Sequence, residues 1–332
     1  MPVRVLVVSS YPPRHCGIGA YAAAQVIRLR DEGHEVVVLS PPDGDGDEHV
    51  DFMAGRPFRR AAELAPAFDR VVVHFEPGLY FRRGAPVTKV RTAWGLLRLV
   101  ERAPQTEIVV HEVFPEPVPW RPDHRLVRGA LRRATLLVHT EAERAALADA
   151  YGVGERVRVV PHTEGVLVSD PPSRAEARER LHVPADERLY VCAGFLHPAK
   201  GYDRAIHAFE AAGSPGRLVV LTSVRTATPE TAAYGRSLRT LAERVDGVEL
   251  RQGFLPADEF DAWIVAADAI VLPYTQAWSS GVLARARLLS TPAIVSGVGG
   301  LADQAGPDDF VFRSDEELRA LFDEGLPLRS TA

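Results

Sequence analysis

The segment 194–201 (GFLHPAKG) combines a glycine, a basic residue and a predicted helix start in a way that suits anion binding. The apolar run 189–193 before it predicts a buried strand, and the run 202–212 after it predicts a helix. A loop of this kind presents backbone N–H groups and the positive end of the helix dipole to a ligand, and Lys200 adds a cation. The segment therefore predicts a phosphate site around Gly194 and Lys200, with a solvated surface lysine as the alternative.

A second candidate anion site lies at 276–283 (QAWSSGVL), between a predicted strand that ends at Leu272 and a predicted helix at 283–290. The small residues that leave the start of that helix open are Ser279, Ser280, Gly281 and Val282. A diphosphate can lie between this helix start and the loop that carries Lys200. The alternative is an ordinary serine N-cap without a ligand.

Histidines stand at the ends of four predicted strands in the first half of the chain: His74, His111, His139 and His162. In open α/β sheets, ligands bind beyond the carboxyl ends of the strands, so these positions and the nearby Glu76 are candidate site residues. A single histidine at a strand end is usually structural, but four at one edge favour a polar cleft.

The segment 17–22 (GIGAYA) fits the dinucleotide-binding fingerprint, with alanine in the last place. In that fingerprint the first glycine follows the strand directly, whereas residues 9–16 intervene here after the predicted strand 3–8. The second predicted strand, 35–39, is not followed by an acidic residue that would bind a ribose. The spacing therefore argues against a nicotinamide site, and no cofactor is predicted.

Strands and helices alternate along the chain, which predicts parallel sheets with helices on both faces. A length of 332 residues suits two domains. The alternation lapses at 165–187, where prolines bracket a short charged helix, and this segment is the predicted linker. We therefore predict an α/β protein with two Rossmann-like, doubly wound domains, 1–164 and 188–332, that face each other across a central cleft.

Composition and charge narrow the class of protein. A net charge of −5 argues against nucleic-acid binding, which needs a broad excess of Lys and Arg. The basic pairs at 82–83 and 132–133 are interpreted as a solvated face, with an anionic acceptor or a peripheral membrane contact as the alternative. The two cysteines, Cys16 and Cys192, imply no disulfide framework, and neither a signal peptide nor an apolar run of about 18 residues occurs. We expect a cytoplasmic protein without a membrane span.

Several short motifs form an ordered set along the chain: 10–19 (SYPPRHCGIG), 33–36 (GHEV), 74–79 (HFEPGL), His111-Glu112, Pro161-His162, 194–201 and 297–301 (GVGGL). This set resembles the family-4 retaining glycosyltransferases of GT-B fold, in family order and over nearly the whole chain. The resemblance implies a hexosyltransferase-type enzyme that moves a sugar from a nucleotide sugar to an acceptor hydroxyl with retention and without a metal. The expected donor carries UDP or GDP, and the expected acceptor is a small molecule, a glycan or a lipid-linked acceptor.

Carried over residue by residue, the resemblance implies two catalytic residues and a donor site. His111 would face the transferred sugar near its anomeric carbon, and Glu76 would line the acceptor side in the first domain. A neutral His111 can donate to a sugar hydroxyl or offer its backbone carbonyl to the developing positive charge. Lys200 would neutralise the diphosphate. The donor-binding residues would be Gly17, Gly19, Gly194, Lys200, Gly253, Phe254, Ser279, Ser280, Gly281 and Val282, with Gly253 and Phe254 bordering the nucleobase.

Two departures from the family pattern bear on activity. Ala277 and Arg285 occupy the positions where the family usually has a pair of glutamates, so both carboxylates are absent. The usual arginine partner of the phosphate lysine is also missing after Gly194. The segment 276–284 resembles a branch of the family with a Gln-x-x-Ser-Gly loop, which is compatible with activity. The alternative is a GT-B-like protein that binds a nucleotide or a glycan without turnover.

Overall fold

The computed structural model describes residues 2–113, 118, 120–225 and 227–324. The chain divides into two compact units at the bond between Val166 and Leu167. Each unit contains one sheet, and every described strand pair is parallel. The prediction of two doubly wound α/β domains is therefore confirmed. No helix within the described ranges is long and apolar enough to cross a lipid bilayer.

The first unit has seven strands and six helices within its described residues. The strands are β1 Arg4–Val8, β2 Glu35–Ser40, β3 Glu48–His49, β4 Arg70–Phe75, β5 Thr106–Val110, β6 Thr135–Val138 and β7 Val157–Val159. The helices are α1 Gly17–Asp31, α2 Pro57–Leu64, α3 Pro77–Tyr80, α4 Pro86–Arg102, α5 Pro122–Leu131 and α6 Glu141–Tyr151. The order across the sheet is β3-β2-β1-β4-β5-β6-β7.

The second unit has six strands and seven helices within its described residues. The strands are β8 Leu189–Phe195, β9 Arg217–Ser223, β10 Val248–Gln252, β11 Ala269–Leu272, β12 Ala293–Ser296 and β13 Phe310–Phe312. The helices are α7 Arg174–Arg180, α8 Tyr202–Ala211, α9 Pro229–Arg244, α10 Ala257–Ala266, α11 Gly281–Leu288, α12 Leu301–Gln304 and α13 Asp315–Asp323. The order is β10-β9-β8-β11-β12-β13.

The strand order fixes where a ligand can bind in each unit. The central strands are continuous apolar runs because helices cover both faces; all four residues of β11, for example, are fully buried. The direction of winding reverses between β1 and β4 in the first unit and between β8 and β11 in the second. Ligands bind at such a switch point, beyond the carboxyl ends of the strands. The loops that follow these strands therefore hold the candidate sites.

The segment 165–187, predicted as a linker, largely packs as part of the second unit. Its helix α7 sends Arg174 and Arg178 to the buried carboxylate of Asp268, at 2.5 and 3.0 Å. The same carboxylate accepts a hydrogen bond from the backbone N–H of Leu189, at the start of β8. These contacts join residues that are far apart in the sequence, so no local pattern reveals them. The lapse in the strand–helix alternation therefore predicted a linker.

Candidate functional site

Gly194 lies at the end of strand β8 and not in the loop that the sequence predicts. Strand β8 continues to Phe195, and Gly194 pairs with Thr222 of β9. Its φ of +139° is a conformation that a residue with a side chain rarely adopts. A Cβ at this position would lie 3.0 Å from the hydroxyl of Tyr202 and 3.9 Å from that of Tyr274. The glycine thus keeps open the space in front of two tyrosine hydroxyls.

Lys200 lies in the short turn between β8 and α8, over an aromatic ring. Its Nζ is 3.7 Å from the centroid of the Tyr274 ring, which follows β11. The neighbouring Arg204 is paired with Asp315, whereas Lys200 has no carboxylate partner among the described residues. A half-buried ammonium group held by a cation–π contact alone keeps its charge available for an anion.

The loops after β8 and β11 are joined to each other. The backbone N–H of Thr275 donates to the carbonyl of Ala199 at 2.9 Å, and a Cβ on Gly201 would lie 2.2 Å from the carbonyl oxygen of Pro273. Tyr274 is fully buried, and its hydroxyl has no hydrogen-bond partner among the described residues. Tyr274 is a site residue that no motif in the sequence marks; its position shortly after an apolar strand was the available signal.

Ser280 is the N-cap of helix α11, and its role toward a ligand stays a prediction. Its Oγ accepts from the N–H of Leu283 at 3.3 Å, and the side-chain amide of Gln304 binds both its backbone N–H and its carbonyl, at 2.7 Å each. Helix α11 begins at Gly281, two residues earlier than predicted. The N–H groups of Gly281 and Val282 therefore lie in the first turn, where a helix offers them no internal acceptor. Ser279 precedes the cap and is half-buried.

The two positions where the family has glutamates take part in packing. Gly299 (φ +52°) approaches Ala277 so closely that a Cβ would lie 1.7 Å from the Ala277 carbonyl oxygen. Arg285 forms a two-bond ion pair with Asp261 of helix α10, a carboxylate that is only 4% exposed. The sequence indicated that the glutamates are absent but not that an arginine neutralises a neighbouring aspartate here.

Gly253 and Phe254 follow the edge strand β10. The N–H of Gly253 donates to the carbonyl of Thr222 at 2.9 Å, and Phe254 is 51% exposed. Strand β10 is two strands away from β8, which corresponds to about 10 Å at the usual spacing. Phe254 thus presents an aromatic surface at the same edge of the sheet as Lys200.

The four histidines of the first unit converge on one tyrosine of helix α1. The ring centroids of His74, His111, His139 and His162 lie 5.5, 5.1, 5.2 and 5.6 Å from that of Tyr21. We call this group the histidine cluster. Among the described residues, no three His, Cys, Asp or Glu side chains are placed to hold a metal ion. The cluster is therefore a packed aromatic assembly at the carboxyl edge of the sheet.

Burial keeps the histidine cluster neutral near pH 7. Loss of solvation lowers the pKa of His74 to about 3, that of His139 to about 4 and that of His162 to about 3. Burial, and then the neighbouring imidazoles, hold the pKa of His111 well below its usual range. His74 is fully buried, whereas His111 is half-buried. His162 is also half-buried, so a ligand can reach His111 and His162 more readily than the buried rings of His74 and His139.

Glu76 begins the short helix α3. Its Oε1 accepts from the N–H of Gly78 at 2.9 Å, and its buried Oε2 has no hydrogen-bond partner within the described ranges. The side chain is only 7% exposed. Its local structural role is thus an N-cap, and a role toward an acceptor remains a prediction.

The glycines at 17 and 19 lie in the first turn of helix α1, whereas the sequence predicts a helix from Tyr21 to Arg30, which starts four residues later. Gly17 is exposed, whereas Gly19 is buried. A Cβ on Gly19 would lie 3.3 Å from the Ser10 carbonyl carbon and oxygen. Gly19 thus lets the helix pack on the backbone that follows β1, and Gly17 is the member of the pair that a ligand can approach.

The basic pairs named in the sequence analysis are exposed. Arg132 donates to the carbonyl of Tyr151 at 3.1 Å, and Arg133 to that of Gly129 at 2.7 Å. These two arginines thus bind backbone carbonyls of the helices next to them, which accords with the interpretation of a solvated face.

Comparison with known proteins relates the chain to glycosyltransferases. No protein-family model matches it. By sequence it is similar to the D-inositol 3-phosphate glycosyltransferase of Xylanimonas cellulosilytica, with 32% identity over 176 residues, which is 50% of this chain and 41% of that protein. It is also similar to the 2-deoxystreptamine glucosyltransferase of Streptomyces kanamyceticus, with 31% identity over 194 residues, which is 54% and 47% of the two chains. The match therefore covers less than half the length of either relative.

Solved structures identify the fold. The chain is similar to Anabaena HepE in complex with UDP-glucose, with a TM-score of 0.72 and 14% identity over 97% of this chain and 89% of that one. It is also similar to sucrose-phosphate synthase from Thermosynechococcus elongatus, with a TM-score of 0.71 and 17% identity over the same shares, 97% and 89%. The predicted GT-B fold, with two Rossmann-like parallel-sheet domains, is confirmed.

Proposed function

We propose that this protein is a retaining, metal-independent glycosyltransferase that moves a sugar from a nucleoside diphosphate sugar to an acceptor hydroxyl. The observation that carries the proposal is Lys200, a half-buried cation over the Tyr274 ring, without a carboxylate partner in the described chain. It lies at the carboxyl ends of β8 and β11, where the winding reverses and a Rossmann-like unit binds its ligand. The two relatives named above are glycosyltransferases, and HepE was solved with UDP-glucose.

The proposed chemistry stabilises a leaving diphosphate. As the bond between the anomeric carbon and the phosphate oxygen breaks, negative charge builds on that oxygen, and Lys200 with the N–H groups of Gly281 and Val282 would bind it. The acceptor oxygen forms its new bond on the same face of the sugar, and its proton passes to the leaving phosphate oxygen. This route needs no protein base at positions 277 and 285, where the family's carboxylates are absent. His111 and Glu76 would contact the sugar and the acceptor.

The first experiment identifies the nucleotide. Calorimetry of the full chain with UDP, GDP and dTDP should show saturable binding of one or more of them, with the base stacked on the exposed ring of Phe254. Absence of binding by all three would remove the proposed donor site.

The second experiment tests turnover and stereochemistry. The sugar nucleotide of the preferred base is incubated with candidate acceptors, which include inositol 3-phosphate and 2-deoxystreptamine, after the names of the two relatives. Proton NMR of the anomeric signal should show a product of the same configuration as the donor, at an equal rate with and without EDTA. An inverted product, or a rate abolished by EDTA, would refute retention or metal independence. Binding without any hydrolysis or transfer would favour a nucleotide- or glycan-binding protein.

A further inference from the structure

His111 is bonded to a chain of side chains that leads back into helix α1. Its Nε2 lies 3.0 Å from Nδ1 of His74, and Nε2 of His74 lies 2.9 Å from Oε1 of Gln25. The rings of His74 and His111 lie edge to edge, with an angle of 16° between their planes and 5.3 Å between their centroids, as an in-line hydrogen bond between the two ring nitrogens requires. His74 is fully buried, so neither of its contacts is shared with solvent.

With the amide oxygen of Gln25 facing His74, as in this structure, the chain of contacts allows one distribution of protons. This oxygen can only accept, so Nε2 of His74 carries a proton and donates it. A neutral imidazole has one N–H, so Nδ1 of His74 is a bare acceptor. Nε2 of His111 must then donate to it, which uses the single N–H of a neutral His111. Nδ1 of His111 is left with a lone pair and has no hydrogen-bond partner among the described residues.

We propose that Gln25 and His74 are positioning residues that fix His111 in its Nε2–H tautomer, so that its Nδ1 accepts a hydrogen bond from a ligand hydroxyl. In this arrangement the ring of His111 accepts from the sugar and does not donate to it, which differs from one of the two roles that the sequence indicated. A ligand that meets His111 must present a donor, as the hydroxyls of a sugar or of its acceptor do. This use of Nδ1 rests on the proposed function, whereas the tautomer does not.

The other two histidines of the cluster pack near the ring of His111 but do not determine its tautomer. Nδ1–H of His139 donates to the carbonyl of Val160, at 3.2 Å, and its ring lies 6.0 Å from that of His111, centroid to centroid. His162 stacks on His139, with centroids 4.1 Å apart. Neither is hydrogen-bonded to His111 in the described structure, so His139 offers a matched control for His74.

The direct test reads the tautomer in the unmodified protein. The full chain is labelled with [15N]histidine, and a long-range proton–nitrogen spectrum is recorded at pH 7.5, with His111 assigned from the signal lost in His111→Asn. The expected result is a protonated Nε2 and an unprotonated Nδ1. A protonated Nδ1 overturns the proposal, whether or not the protein shows transferase activity.

Variants then test what sets the tautomer. His74→Phe keeps an aromatic ring but removes the acceptor, and Gln25→Met removes the acceptor of His74 at a half-buried position. In either folded variant, His111 should give a mixture of tautomers, whereas His139→Phe should leave its spectrum unchanged. If neither variant shifts the tautomer, or if His139→Phe shifts it equally, the positioning role is wrong.

Turnover separates the two proposals. If the protein transfers sugar, Gln25→Met should lower kcat about five- to tenfold, the effect of one lost hydrogen bond, at an unchanged nucleotide Kd. Unchanged kcat despite an altered tautomer would overturn the use of Nδ1 in the reaction. A wild-type protein with the expected tautomer and no activity would contradict the proposed function alone.

Discussion

At the scale of a single residue, Lys200 provides the sharpest test of the donor site. Lys200→Ala removes a charge that would form a charge-assisted hydrogen bond with the diphosphate and leaves the Tyr274 ring in place. The affinity for the preferred nucleoside diphosphate should fall by about 1.5–3 kcal/mol. Calorimetry on the folded variant measures this loss.

Arg204→Ala is the matched control for Lys200. Arg204 follows Lys200 by one helical turn, but it is paired with Asp315 and packs over the ring of Phe312. Its removal should leave nucleotide affinity within about 0.5 kcal/mol. Equal losses in the two variants would mean that the general positive potential, and not Lys200, binds the anion.

The types of the site residues could be predicted from the sequence, but their protonation states and hydrogen-bond partners could not. Histidines at four strand ends were visible, because each follows an apolar run. Their neutral form depends on burial against Tyr21, and the hydrogen bonds of His74 include one to Gln25; both residues lie on helix α1, far in sequence from the strand ends. Burial among these neighbours lowers the pKa values of the four histidines. A local sequence pattern does not show which distant residues will become neighbours.

At the scale of elements, the sequence predicted most strands because buried parallel strands are unbroken apolar runs. The sequence predicts strands at 248–252 and 269–272, which are the bounds of β10 and β11. It predicts neither β3 nor β13, which have two and three residues. Helix α1 was predicted to start late because its N-cap, Cys16, makes no side-chain cap that would mark the start.

Asp268 gives a prediction at the element scale, because it joins helix α7 to the sheet of the second unit. Its side chain is 2% exposed and holds Arg174 and Arg178, which are also buried. Asp268→Ala leaves two buried guanidinium groups without a counter-charge. The free energy of unfolding of this unit should therefore fall by about 3–5 kcal/mol, as urea denaturation followed by circular dichroism would measure.

Asp258→Ala is the control for this substitution. Asp258 of helix α10 pairs with Arg180 of the same helix α7 at 2.8 Å, but the side chains are 68% and 50% exposed. An exposed pair of this kind contributes little, so this substitution should leave the free energy of unfolding nearly unchanged. Equal destabilisation by both substitutions would show that the buried ion pairs of Asp268 stabilise helix α7 no more than the exposed pair of Asp258 does.

At the scale of the whole molecule, the two units differ in how their ionisable groups are used. The second unit uses a buried ion-pair network around Asp268 and keeps Lys200 unpaired within the described chain. The first unit places the histidine cluster at the carboxyl edge of its sheet, with pKa values lowered by burial. Moderate acid should therefore lower the free energy of unfolding of the first unit.

The sign of this effect follows from where the protons bind. The usual histidine pKa is about 6.5, so below that pH the unfolded chain takes up protons. The folded unit does not, because the pKa values of His74, His139 and His162 are about 3, 4 and 3, and that of His111 is also well below its usual range. The free energy of unfolding therefore decreases as pH falls from about 6.5 toward 4, by up to about 1.4 kcal/mol per pH unit for each histidine.

Urea denaturation of the full chain at pH 7.5, 6.5 and 5.5 tests this prediction. A short hydrogen-exchange pulse at one fixed pH, read by mass spectrometry in peptides from β4, β5 and β6, reports the unfolded fraction of the first unit. The stability of that unit should be nearly constant above pH 7 and should fall steeply below 6.5, with a slope at pH 5.5 that corresponds to about four protons.

His139→Phe should reduce the slope by about one proton, because one titrating group of the unfolded chain is removed. A slope that is flat between pH 6.5 and 5.5, or one that His139→Phe leaves unchanged, would mean that these imidazoles are protonated in the folded protein and that the cluster is not neutral.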